Sequence, residues 1–92
     1  MDNNLVYHPS HYNTEGRKEC WEEMEEIFGR DAVAIFDVLS AYKYHYRAGK
    51  KDGNSENQDK EKITNYMRHA AGKKKSAYAC NIYHKMCEVL ND

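Results

Sequence analysis

The chain has 92 residues, with 14 Lys and Arg against 15 Asp and Glu for a net charge of -1. A chain of this length makes one small domain, and the even charge balance excludes a general nucleic-acid coat, which needs a strongly basic surface. No apolar run approaches the roughly 18 residues that a bilayer span requires, and Cys20, Cys80 and Cys87 are too few and odd in number for a disulfide framework, so they read as free thiols of a reducing cytosol.

Residues 1–16 read as an irregular arm: Pro9 biases His8 towards extended backbone, and Asn13, Thr14 and Gly16 are turn formers. The arm lacks the basic stretch and apolar run of a secretory signal. The first helix is predicted from Arg17 to Phe28. Cys20, Trp21, Met24, Ile27 and Phe28 recur at helical spacing, Glu22, Glu23, Glu25 and Glu26 face water, and Gly29 ends the helix. Asp31 is the expected cap of a second helix, whose apolar face would be Ala32, Ile35, Phe36, Leu39, Tyr42 and Tyr46, running to about Ala48 before Gly49. The segment GKKDGN is a loop with Asp-Gly turn chemistry.

Ser55 is the expected cap of a third helix with Ile63, Tyr66, Met67 and Ala70 on its core face; Gly72 would close it and Lys73 to Lys75 would be a solvated run. Ser76 then caps a fourth helix, where Ala79, Ile82, Tyr83, Met86, Val89 and Leu90 form the cleanest amphipathic stripe in the chain. No strand is predicted. The architecture expected is all-α: one domain with an arm over 1–16, three core helices within 17–70, and an amphipathic C-terminal helix over 76–91. That last stripe carries more apolar surface than a three-helix core would cover, which predicts a homo-oligomer joined through it; the alternative is that it folds back and completes a four-helix bundle.

Lys43, Arg47 and Lys50 stand at i, i+4 and i+7, a spacing that lines one helix face. With Lys51 they gather positive charge at the end of the second helix. Stabilisation of the helix C-terminus by cations is the simpler explanation. The functional one is a phosphate site, because Tyr42, Tyr44, His45 and Tyr46 are interleaved with the charges and an aromatic ring beside Arg and Lys can stack on a nucleobase. RAGKKDGN lacks the spacing of a P-loop. His8 and His11 belong either to an arm packed on the helices through Tyr7 and Tyr12, or to an arm that contacts phosphate. Cys80, His84 and Cys87 share one helix face, but no Cys-x-x-Cys is present and no structural zinc is expected. Glu22, Glu23 and Glu26, with Glu56 and Asp59, resemble the carboxylate pattern with which all-α pyrophosphohydrolases hold Mg2+, but in that family the second pair sits inside a long helix whereas here Glu56 opens one after a loop, and a solvated acidic face is the simpler explanation of Glu22 to Glu26.

Taken together, His8-Pro9-Ser10-His11-Tyr12, the Gly16 to Cys20 spacing, Lys43-Tyr44-x-x-Arg47-Ala48-Gly49-Lys50-Lys51 and a following helix with Asp59, Lys62 and Tyr66 resemble a family of small bacteriophage proteins. One branch of that family is described as a nucleotide kinase without a recognisable P-loop. The resemblance covers roughly residues 7 to 70 and implies a phage origin, a place in the cytoplasm of the infected bacterium and a nucleotide-related role. Small phage proteins that sequester host nucleotide signals are an analogy of size and origin.

The reading that follows is a protein that binds a mono-, tri- or cyclic nucleotide through Lys43, Arg47, Lys50 and Lys51, with His8, His11 and Tyr12 closing over it and Tyr12 or Tyr46 stacking on the base. In the enzyme alternative, a phosphotransferase or pyrophosphohydrolase, His8 or His11 serves as acid-base and Asp59 holds Mg2+ or orients Lys43. A third class is an adaptor that binds host protein without catalysis.

Overall fold

The computed structural model describes residues 17–48, 50 and 56–92. Four helices account for nearly all of them: α1 (Arg17–Phe28), α2 (Arg30–Arg47), α3 (Glu56–Lys73) and α4 (Ala77–Asn91). No strand occurs among the described residues. The protein is an all-α helical bundle, and none of its described helices is long and apolar enough to cross a membrane.

One residue separates α1 from α2. Gly29 adopts φ 94° and ψ 159°, a combination essentially restricted to glycine. Its N–H donates to the Glu25 carbonyl at 2.9 Å and its carbonyl accepts from Val33 N–H at 3.3 Å, so it ends one helix and begins the next. Asp31 is therefore not the cap but a first-turn residue. Its carboxylate accepts from the backbone N–H groups of Lys75 and Ser76, at 2.7 and 2.9 Å, which ties the start of α4 to the start of α2. Those two N–H groups, Ser76 first, hold the Asp31 carboxyl below its ordinary value.

The end of α3 also departs from expectation. The helix runs through Gly72 to Lys73, because the Arg30 guanidinium donates to the terminal carbonyls of Lys73 and Gly72 at 3.0 and 3.1 Å. Lys73 is not a solvated member of a lysine run: its ammonium lies 2.6 Å from Glu25 of α1. Ser76 caps α4 as its sequence predicts, accepting from Ala79 N–H at 3.1 Å.

α2 is the central element. α3 lies antiparallel along it, as the pairings of Asp37 with His69 and of Tyr44 with Tyr66 require. The shared core is Ala34, Val38 and Ala41 of α2, Ile63, Met67 and Ala70 of α3, and Met86 of α4. Three alanines at the contact let two helix backbones approach closely. The apolar face expected on α2 is the wrong one. Phe36, Leu39, Tyr42 and Tyr46 are 42–62% exposed, whereas Val33, Ala34, Asp37, Val38 and Ala41 are buried. The helix carries two stripes, and the narrow, small-residue stripe wins because it admits α3 and lets Asp37 meet partners on α1 and α3.

α4 is core rather than an appendage. Ala79 and Met86 are buried, and Ile82, Tyr83 and Val89 are partly buried against the cluster, while Leu90 stays 37% exposed, so the stripe that predicts an oligomer also contributes to the core of its own chain. α1 is the more peripheral helix, with Ile27 and Phe28 each 67% exposed.

Candidate functional site

Tyr44, near the C-terminal end of α2, is half-buried against the core. Antiparallel pairing brings Tyr66 of α3 beside it, ring centroids 5.9 Å apart and planes 16° apart. Three cations surround the Tyr44 ring: Lys62 Nζ of α3 at 4.9 Å from the centroid, Arg47 Cζ at 5.2 Å and Lys43 Nζ at 5.8 Å. Each lies within the roughly 6 Å over which an aromatic ring attracts a cation. Among the described residues neither Lys43 nor Lys62 has a carboxylate within salt-bridge distance.

A cavity of about 130 Å3 opens directly beside these groups, lined by Trp21 of α1, Tyr44, Lys62, Asn65 and Tyr66. The Trp21 ring meets Tyr66 edge-on at 5.9 Å. Three aromatic rings, one amide and one ammonium thus line a space that is small beside whole-ligand sites of about 300–1,000 Å3. It suits a single ring system whose remainder projects outward. A larger cavity of about 460 Å3 lies on the other flank of α3, lined by His45, Ala48, Glu56, Lys60, Ile63, Thr64 and Leu90. Its Lys60 lies 3.4 Å from Glu56, which leaves that region less cationic.

Of the residues singled out in the sequence, Lys43 and Arg47 come together at Tyr44. Lys50 does not share their face: α2 ends at Arg47, and Lys50 Nζ sits 4.2 Å over Tyr46. Tyr44 and Tyr46 project from nearly opposite sides of a helix that turns about 100° per residue. Asp59 is 2% exposed, one turn before Lys62, and its Oδ2 is buried without a hydrogen-bond donor. His8, His11, Tyr12 and Lys51, like Gly49 and Ser55, lie outside the described residues.

The proposed acidic metal set does not assemble among the described residues, where no three His, Cys, Asp or Glu side chains gather closely enough to hold an ion. Glu22, Glu23 and Glu26 are exposed on α1. On α4, Cys87 packs against the core while His84 is exposed beside Tyr83, ring centroids 5.8 Å apart.

Sequence reasoning missed Trp21, Lys62, Asn65 and Tyr66 as site residues. Asp59, Lys62 and Tyr66 stand at i, i+3 and i+7, a spacing that would have put them on one face of α3. What it lacked was the pairing of that face with Tyr44.

The chain belongs to DUF3310, a family described as proteins of unknown function, whose profile matches residues 6–68. That span takes in the α1–α2–α3 groove and the cations around Tyr44, and ends before α4. No curated protein and no solved structure matches the chain at significance.

Proposed function

We propose that this chain binds a phosphorylated nucleotide, with phosphate held by Lys43, Arg47 and Lys62 and the base entering the ring-lined cavity beside Tyr44. The observation that carries the reading is the convergence of three cations from two helices on one half-buried aromatic ring. Stabilisation of a helix C-terminus accounts for Arg47, but not for Lys62, which stands in the middle of α3. Like charges gathered in one place repel, and an anion relieves that repulsion. Arg47 supplies planar, two-pronged donation and the lysines supply point charges. Trp21, Tyr44 and Tyr66 offer π surfaces, and the Asn65 amide offers both a donor and an acceptor to a base edge.

A phage origin, action in the cytoplasm of an infected host and sequestration of a host nucleotide are parts of the same reading and rest on the sequence resemblance. Calorimetry with mono-, tri- and cyclic nucleotides tests it. Lys62→Ala should weaken the nucleotide that binds by about 1.5–3 kcal/mol, roughly ten- to a hundredfold, with the helical circular dichroism unchanged. Equal affinity in parent and variant would remove the site.

A further inference from the structure

Asp37, His69 and Trp21 form a network of which the phosphate reading uses only the Trp21 ring. Asp37 is 0% exposed in the middle of α2. Its Oδ1 accepts from the Trp21 indole N–H at 3.0 Å, and its Oδ2 lies 2.6 Å from His69 Nδ1. His69 stacks on the indole, ring centroids 3.8 Å apart and planes 13° apart. Taking a carboxylate out of water costs several kcal/mol, and a well-packed apolar side chain often serves a core as well or better. Such a group beside a cavity therefore points to chemistry.

The network decides where the imidazole proton sits. A carboxylate only accepts, so Nδ1 carries the hydrogen in the neutral ring and Nε2 keeps its lone pair. His69 retains 23% of its side-chain exposure. It lines a cavity of about 280 Å3 with Trp21, Glu22, Glu25 and Lys73. The charges around that cavity are specific. Lys73 is closed on Glu25 at 2.6 Å, Arg30 is engaged by the Gly72 and Lys73 carbonyls, and Glu22 is an exposed carboxylate. The one cation that lines it, Lys73, is matched by Glu25, while the Glu22 carboxylate and His69 Nε2 are acceptors. An anion is disfavoured there, and a neutral ligand that donates hydrogen bonds is favoured.

We propose that the α1–α3 cavity is a second site, for a neutral, hydroxyl-bearing small molecule of about the size of one sugar ring, and that His69 Nε2 is its hydrogen-bond acceptor. Asp37 is the positioning residue that holds this tautomer. The site shares only Trp21 with the phosphate site, so either can fail without the other.

Two measurements on the full chain test it. Nitrogen-15 NMR of the imidazoles should show the neutral His69 ring carrying its hydrogen on Nδ1. In Asp37→Asn the Trp21 N–H, which can only donate, keeps the amide oxygen, so the amide N–H2 faces Nδ1 and moves the ring proton to Nε2. Diethyl pyrocarbonate acylates an imidazole through its lone pair. His69 should therefore react in the parent, roughly tenfold or more slowly in Asp37→Asn, and more slowly in the parent when D-ribose is added. The exposed His84, read by peptide mapping, should be unaffected by either change. A parent His69 protonated on Nε2, or a His69 rate indifferent to ribose, overturns the proposal.

Discussion

Asp37 shows how one side chain ties three helices together. Desolvation pushes its carboxyl above the ordinary carboxylate range, against the opposing pull of His69 and Trp21. A carboxyl raised on folding favours the protonated form. Its contribution to stability is complete below the ordinary value and is lost as pH rises through the raised one. Asp37→Asn should therefore gain on the parent as pH goes from acid to neutral in chemical denaturation, whereas a growing advantage for the parent would contradict the assignment. Asp37→Ala is a different change, because it leaves the Trp21 and His69 donors without a partner and opens a gap. It should cost about 2–4 kcal/mol at neutral pH. This residue also explains why the buried face of α2 was hidden: a carboxylate in the middle of Val33, Ala34, Val38 and Ala41 reads as solvent-facing. Its hydrogen-bond partners lie 16 and 32 residues away.

At the scale of elements, periodicity and caps located the helices well. Gly29 and Ser76 mark their boundaries for local reasons, and local reasons are visible in sequence. Long-range contacts are not, as Asp31 illustrates: the side chain that looks like a cap for its own helix instead holds the backbone leading into α4. Its carboxyl is lowered by that contact, so its contribution is present above the ordinary carboxylate range and disappears as pH falls through the lowered value. Asp31→Ala should lower the melting temperature at neutral pH and lose that deficit in strong acid. A deficit that persists unchanged at low pH would show that the Asp31 charge is irrelevant. The candidate site divides in the same way. Lys43 and Arg47 were legible as neighbours on one helix, but Lys62 and Tyr66 join them only through the antiparallel register of α2 and α3, which spacing within either helix does not specify.

For the molecule as a whole, α4 supplies Met86 to the core and covers it with Ile82, Tyr83 and Val89. A chain cut before Ser76 should lose cooperative unfolding, because a domain this small has no core to spare. A truncated chain that still melts cooperatively would show α4 to be dispensable. The larger claim is that the groove between α2 and α3, with Trp21 of α1 at its side, is built for a phosphorylated ring compound. The most direct measurement is a calorimetric titration of the parent and Lys62→Ala with nucleotides and with the matching unphosphorylated nucleosides, at low and moderate salt. A nucleotide should bind the parent, and its nucleoside should bind far more weakly. The affinity should fall with salt and drop roughly ten- to a hundredfold in Lys62→Ala. No nucleotide binding to the parent, or binding indifferent to phosphate and to Lys62, would contradict it.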